Sequence, residues 1–196
     1  KLNVNKTTTP IVWMTAAESF FLRAEGALRG WAMGGSAQSF YEAGIKMSFL
    51  ENNVSGAASY IADNTATPAA YTDNTGDGND AAAPSTITIA WDDAAGFEAN
   101  LERIITQKWI AMYPDGPEGW SEFRRTGYPK LFPVVKNESG GKVSSSVQIR
   151  RLPYPNSEYT TNSAAVAAGV AVLNAESNNA TGDNGGTTLW WDKKSH

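Results

Sequence analysis

Three aromatic residues, Tyr60, Tyr71 and Trp91, stand in a polar stretch of the chain, residues 55–91, that shows no helical periodicity. Proteins bind sugars by stacking an aromatic ring on the apolar C–H face of the sugar and by hydrogen-bonding its hydroxyl groups with amide and carboxylate side chains. Since this stretch is also rich in Asn and Asp, the three aromatic residues are the predicted ligand-binding residues. The alternative is that they anchor a long loop on neighbouring helices.

An oxygen-rich cluster lies in the same loop: Asp73, Asn74, Asp77, Asn79 and Asp80. Calcium takes roughly six to eight oxygen ligands, often from Asp and Asn at alternate positions. Residues 73–78 have the alternation with which calcium loops begin, but Pro84 stands at the twelfth position, where such loops carry Glu. A solvated turn is therefore the preferred interpretation, and no metal or cofactor is predicted.

Two pairs of carboxylates, Glu98/Glu102 and Glu118/Glu122, each share a helix face at a spacing of four residues. Glycoside hydrolysis needs two carboxylates roughly 5 to 10 Å apart, one of which has a pKa raised by its surroundings. Nothing in the neighbouring sequence indicates such tuning. We therefore expect solvated helix surfaces and no catalytic residue, in a protein that is not an enzyme.

The composition excludes several other classes of function. The chain has 196 residues, no Cys and a single His, His196, so Cys nucleophiles, Cys-based zinc sites and Ser-His-Asp triads have no residues to form from. Lys and Arg number 16 against 20 Asp and Glu, and they are scattered, which argues against nucleic-acid binding. No apolar run approaches the ~20 residues that a membrane-spanning helix needs.

Helical patterns occupy both ends of the polar stretch. Capping boxes at Thr15–Glu18 and Ser39–Glu42 mark two amphipathic helices, separated by Gly34 and Gly35, which form a helical hairpin like those of TPR proteins. Further helices are predicted from Asp92 to about Met112, from Glu118 to Thr126, and from Ser163 to Leu173.

Strand patterns are short and few. Residues 130–135 and 146–150 flank Gly140 and Gly141 and predict a hairpin, and residues 86–91 alternate like one further strand. The predicted fold class is therefore mostly α, with TPR-like helical hairpins, a small β-hairpin and long irregular loops.

Aromatic and basic residues outside the loop have structural interpretations. The core is predicted to contain Trp109, Tyr113, Trp120, Tyr128, Trp190 and Trp191. The pairs Arg124–Arg125 and Arg150–Arg151 are predicted to bind nearby Glu side chains and carbonyl groups rather than an anionic sugar.

Five segments of the chain resemble the SusD/RagB-like outer-membrane lipoproteins, and they occur in that family's order. They are residues 14–31, 105–114, 121–129, 149–155 and 188–193, and they cover most of the chain outside 55–91. The resemblance is to the C-terminal portion of such proteins. On this basis residues 1–196 are expected to be the C-terminal portion of one SusD-like domain, with 55–91 as a loop insertion.

The resemblance implies a function as well as a fold. Members of the family bind glycans, starch among them, at the cell surface of Bacteroidota and deliver them to a SusC-like TonB-dependent transporter. They are not enzymes, and they reach the membrane only through a lipid anchor, which lies outside this chain. The alternative is a non-glycan cargo such as peptides, or a purely structural lid on the transporter.

Overall fold

The computed structural model describes residues 12–192 and residue 194. Within these residues the regular structure is α-helix, as predicted. The chain divides into two units. The first extends to Ala66 and resumes over Ile87–Gly119, whereas the second comprises Thr67–Thr86 and the part of the chain from Trp120 onward.

The first unit is built from four α-helices and one short 3₁₀ turn. They are α1 (Ala16–Leu28), α2 (Ala37–Glu51), α3 (Ala57–Ile61), the turn Asp93–Ala95 and α4 (Gly96–Ala111). Helix α5 (Gly116–Thr126) follows, and the boundary between the two units falls within it. The second unit contains α6 (Asn156–Thr161) and α7 (Ser163–Glu176).

Side-chain caps determine where the first two helices begin. The Thr15 hydroxyl accepts a hydrogen bond of 3.1 Å from the Glu18 amide, as the capping box predicts. The predicted start of α2 at Ser39 is wrong, because Ser36 has the extended backbone that an N-cap requires. Its hydroxyl accepts a 3.1 Å hydrogen bond from the Ser39 amide, so α2 starts three residues earlier.

The core of the first unit lies between α1, α2 and α4. Phe21 of α1 meets Tyr41 of α2 edge-to-face, with 6.3 Å between ring centroids, and both side chains are buried. Gly44 lets these helices approach closely, since a Cβ atom there would lie 2.8 Å from the Phe21 ring. Helix α4 closes the core with Leu101, Ile104 and Ile105.

A buried lysine lies at the edge of this core. The side chain of Lys108 is 1% exposed, and its Nζ lies 3.0 Å from Glu118 and 3.6 Å from Glu18. Burial raises the pKa of Glu18, and Lys108 lowers it only in part. The lysine therefore neutralises carboxylates that otherwise repel each other.

The strand predicted at residues 86–91 does not form. This segment is irregular, and its backbone groups pair with side chains and with a loop. The Ile89 carbonyl accepts a 2.7 Å hydrogen bond from the Tyr41 hydroxyl, and the Ala90 amide donates to the Asp63 carbonyl. The alternating pattern thus reflects a segment that lies on helices, without a neighbouring strand.

The small β-hairpin predicted at residues 130–135 and 146–150 is not confirmed, and no strand occurs in these described segments. Pro133 has no amide hydrogen to donate, and Gln148 has a left-handed backbone with φ of 59°. The Val134 amide donates a backbone hydrogen bond to the carbonyl of Ser145, the residue just before the second segment. The Gln148 side-chain amide donates a 3.0 Å hydrogen bond to the Phe132 carbonyl, so a side chain links the two segments.

Buried arginines hold the second unit together. Arg150 makes two hydrogen bonds, of 2.7 and 2.8 Å, to the Asp192 carboxylate, and both side chains are fully buried. Arg124 donates to the Arg150 carbonyl and lies 3.7 Å over the Trp120 ring. The structural interpretation of these arginines is confirmed, although Asp192 takes the place of the expected Glu.

The second residue of each arginine pair, Arg125 or Arg151, is also bound by a carboxylate. Arg125 contacts Glu122 at 2.6 Å, and Arg151 pairs with Asp183. Burial alone raises the pKa of Asp183, but hydrogen bonds from the Tyr159 hydroxyl, from Arg151 and from the Tyr154 amide outweigh it and hold that pKa below its usual range.

The predicted core position is wrong for three of the six aromatic residues outside the loop. Trp109 is 44% exposed, Trp190 is 64% exposed and Tyr113 is 87% exposed, whereas Tyr128 is buried. Helical spacing places a residue on a face, and it does not say whether that face is covered.

Candidate functional site

A closed turn in the second unit carries Tyr71, one of the three predicted ligand-binding residues. Tyr71 and Ala81 form an isolated antiparallel bridge, exchanging backbone hydrogen bonds of 2.9 and 3.0 Å. The bridge fixes the backbone on both sides of the turn, and the Tyr71 side chain stays 48% exposed. The backbone that carries the ring is therefore fixed, and the side chain is open to solvent.

Asp73 organises the turn between these bridge residues. Its carboxylate accepts hydrogen bonds from the hydroxyl and amide of Thr75, and from the amide and side chain of Asn79. These bonds, led by the one from the Thr75 hydroxyl, lower the pKa of Asp73 to about 2. Gly76 and Gly78 supply the left-handed backbone that the turn needs, with φ of 77° and 76°.

The segment around Phe132 faces this turn. The Phe132 ring is tilted at 51° to the Tyr71 ring, with 6.0 Å between centroids. Its backbone is held by Gln148, whose side-chain amide donates a 3.0 Å hydrogen bond to the Phe132 carbonyl. A side chain on one irregular segment thus positions an aromatic residue on the other.

A groove of about 260 Å³ lies between the turn and this segment. It is lined by Tyr71, Asn79, Ala81, Phe132, Pro133 and Val135. Tyr71, Phe132 and Val135 are all more than one third exposed, so the apolar lining is open to solvent.

The arrangement suits a ligand with an apolar face and a polar rim. Two aromatic rings and aliphatic neighbours offer a surface for C–H groups, and the Asn79 amide stands beside them. Binding sites of this type combine a mostly apolar lining with a few polar groups that fix orientation. A sugar ring has the matching chemistry.

The other two predicted ligand-binding residues lie in the first unit. Tyr60 packs on Phe49, with 5.3 Å between ring centroids, and its hydroxyl hydrogen-bonds to Gln107. Trp91 packs on Tyr41 with 5.4 Å between ring centroids, and its indole N–H donates a 2.7 Å hydrogen bond to the Asp93 carboxylate. These contacts favour loop anchoring for both residues, and their ligand contacts stay a prediction.

The sequence interpretation missed Phe132, Pro133 and Val135. The sequence pattern predicts this segment as one strand of a hairpin, in which alternate side chains are buried. Pro133 was the available signal, because a proline within such a run argues for an edge or for no strand.

The acidic side chains considered for calcium binding and for glycoside hydrolysis have the following surroundings in the structure. Among the described residues, no group of three or more acidic or histidine side chains is placed to hold a metal ion. Glu118 contacts Lys108, Glu122 contacts Arg125, and Glu102 is buried.

No helix in the described part of the chain has both the length and the apolar character that crossing a membrane requires.

The structure is that of a helical protein with an open groove lined by two aromatic residues. A profile of the SusD-like family, described as Susd and RagB outer membrane lipoprotein, matches residues 1–192. The chain belongs to this family.

Solved structures support the same assignment. A SusD homologue from Bacteroides thetaiotaomicron is 53% identical over 97% of this chain, with a TM-score of 0.90. A chitin-binding SusD homologue from Flavobacterium johnsoniae is 55% identical over 94%, with a TM-score of 0.86. A SusD homologue from Bacteroides ovatus is 48% identical over 94%, also with a TM-score of 0.86.

The matched region is a minor part of these relatives. It spans 40%, 37% and 38% of their respective chains. A search of curated proteins gave no match.

Proposed function

We propose that this protein binds glycans at the cell surface through the groove between Tyr71 and Phe132, without catalysis. Its family is one of outer-membrane lipoproteins, and one relative that is 55% identical is a chitin-binding protein. The observation that carries the proposal is the pair of exposed aromatic rings, 6.0 Å apart, beside the Asn79 amide.

The proposed binding mode is stacking assisted by hydrogen bonds. The Tyr71 ring takes the C–H face of one sugar unit, and Phe132 and Val135 contact the neighbouring apolar surface. The polar side chains of the turn face the hydroxyl groups. Since the backbone of Tyr71 is already fixed by its bridge to Ala81, little ordering of the chain is required on binding.

Absence of catalysis is part of the proposal. Glu118 and Glu122 each have a cationic partner, which holds them in ion pairs. A glycosidase acid needs a raised pKa beside the bond that breaks. Among the residues that line the groove there is no carboxylate.

Delivery to a TonB-dependent SusC-like transporter completes the proposed function. Exposed apolar side chains at the end of α4 and just beyond it support a protein contact there, namely Trp109, Ile110 and Tyr113. Membrane attachment through a lipid anchor is part of the proposal, since the family is one of outer-membrane lipoproteins, and no nucleic-acid partner is proposed.

Native gel electrophoresis in the presence of a panel of polysaccharides tests glycan binding. The panel contains soluble chitin derivatives, starch, xylan, mannan and polygalacturonate. Retardation of the protein by at least one polysaccharide, with no release of reducing sugar, is the expected result. Binding of oligopeptides with no retardation by any polysaccharide favours the peptide-cargo alternative instead. Failure to bind either class leaves the structural lid.

A further inference from the structure

We infer that the groove selects neutral glycans over glycans that carry carboxylates, and that Asp73, Asp77 and Asp80 are the residues that determine this selectivity. The inference rests on the proposed glycan binding at this groove. It adds a class of substrate that the family assignment leaves open.

The three carboxylates lie beside the lining of the groove. Asp73 contacts the lining residue Asn79 through two hydrogen bonds, of 3.1 and 3.0 Å. Asp80 lies between the lining residues Asn79 and Ala81 in sequence, and its carboxylate accepts a 2.7 Å hydrogen bond from the Asp73 amide. The charges of Asp73 and Asp80 are therefore next to the groove lining, and Asp77 pairs with Lys136, the residue after the lining residue Val135.

The hydrogen bonds of the turn hold these charges in place. The Thr75 hydroxyl lies 2.6 Å from the Asp73 carboxylate and 3.0 Å from the Asp77 carboxylate. The hydrogen bonds to Asp73 keep it ionised far below neutral pH, since its pKa is about 2. A negative field at this rim is thus part of the folded turn.

The negative charge at the rim is only weakly compensated by the nearby cation Lys136. The Nζ of Lys136 lies 4.0 Å from Asp77, and both side chains are 63% exposed. An exposed pair at this distance is well solvated and neutralises little. One lysine beside three carboxylates leaves the rim negative.

The magnitude follows from Coulomb's law. In water, one unit charge about 8 Å from another changes a dissociation constant roughly twofold. Three carboxylates, partly offset by Lys136, weaken binding of a carboxylated glycan by roughly fivefold at low salt. The effect shrinks at 1 M salt, where the Debye length is about 3 Å.

A chemically matched pair of ligands tests the inference. A soluble chitin derivative, starch or mannan that binds in the panel is oxidised so that its primary C6 alcohols become carboxylates, and a portion is then methyl-esterified to remove the charge. Calorimetry at low salt is expected to give roughly fivefold weaker binding for the carboxylate form. The ester is expected to bind within about twofold of the parent, since it has the added atoms without the charge.

Two variants assign the effect to named residues. D77N/D80N keeps oxygen acceptors for Thr75 and for the Asp73 amide, and it is expected to reduce the discrimination to below about twofold. K136Q is expected to increase it roughly twofold. E42Q in α2 removes one charge whose contacts are with Gln38 and Lys46 of its own helix, and it serves as a control that leaves the ratio unchanged.

The outcomes separate this inference from the proposed function. Equal binding of the carboxylate form and the parent at low salt, or preferential binding of polygalacturonate in the panel, overturns the inference and leaves glycan binding intact. Failure of every glycan to bind overturns both. Discrimination that persists unchanged in D77N/D80N overturns the assignment to these residues.

Discussion

The guanidinium group of Arg150 is bound on one side by both carboxylate oxygens of Asp192, and its Nη2 also donates a 2.8 Å hydrogen bond to the Arg124 carbonyl. This pair anchors one end of the segment that contains Gln148, the residue that positions Phe132. A buried ion pair far from the groove in sequence thus supports the aromatic lining of the groove.

Breaking this ion pair is expected to destabilise the protein strongly. Asp192→Asn leaves the Arg150 charge buried without its counter-ion, which costs about 3–5 kcal/mol of unfolding free energy. Urea denaturation measures the change. Lys46→Gln is the matched control, because it breaks an exposed pair with Glu42 and is expected to cost under about 0.5 kcal/mol. Equal effects of the two variants would contradict the structural role of Arg150.

The second prediction concerns Lys108, which lies between Glu18 and Glu118. Lys108→Met removes the cation and leaves carboxylates facing each other in a partly dry site, with an expected loss of about 3 kcal/mol or more. Adding Glu18→Gln is expected to restore part of that stability, because the repulsion is then removed. Thermal unfolding of the single and double variants checks this, and strict additivity of the two changes would count against it.

The pH dependence of the same site has a definite sign. Burial raises the folded-state pKa of Glu18 above 4.5, so the folded protein binds a proton more readily than the unfolded chain. This contribution to stability is fully present below pH 4.5 and is lost as the pH rises through the folded-state pKa. The trend is expected to be steeper in Lys108→Met than in the parent protein. A difference in stability between the two proteins that stays constant over this pH range would contradict the prediction.

At the Asp73 turn the pH dependence of stability has the opposite sign. Hydrogen bonds from Thr75 and Asn79 lower its pKa from 3.8 to about 2, so the turn is stabilised above pH 3.8 and loses that support as the pH falls through about 2. An NMR titration of the Asp73 carboxyl carbon should give a midpoint near 2. Thr75→Val removes the largest contribution and should move the midpoint toward 3.8. A midpoint near 3.8 in the parent protein would disprove this hydrogen-bond arrangement.

The stability effects of two predicted ligand-binding residues are expected to differ. Trp91→Ala removes a ring that packs on the buried Tyr41 and is expected to cost about 1–3 kcal/mol. Tyr71→Ala keeps its backbone bridge to Ala81 and removes a half-exposed ring, so a cost below about 1 kcal/mol is expected. Chemical denaturation of both variants measures this. A larger loss for Tyr71→Ala would make it a structural residue rather than a binding residue.

Much of the helical fold was predictable because its signals are local. The Thr15 cap and the periodicity of α1 and α4 each depend on neighbours a few positions away. The start of α2 was misplaced because Ser36 and Ser39 both have hydroxyls suited to an N-cap. The choice between them depends on the backbone conformation of the preceding turn.

The irregular segments of the chain were predictable only in part, because their backbone is held by contacts with residues distant in sequence. Residues 86–91 alternate like a strand, yet their carbonyl groups pair with Tyr41 and Arg103. The groove needs Gln148 to hold Phe132 and the Arg150–Asp192 pair to hold the segment behind it. Composition identified Tyr71 as a candidate, but its neighbour Phe132 became visible only from the structure.

The most direct test of glycan binding at this groove is a calorimetric comparison of Tyr71→Ala with the parent protein, using the polysaccharide that binds in the panel. Loss of the stacking ring is expected to weaken binding at least about tenfold, or about 1.4 kcal/mol. Tyr71→Phe keeps the ring and is expected to bind within about threefold. Tyr113→Ala removes an aromatic ring that is 87% exposed in the first unit and serves as the control. Unchanged affinity in Tyr71→Ala, with the protein folded, would contradict the account.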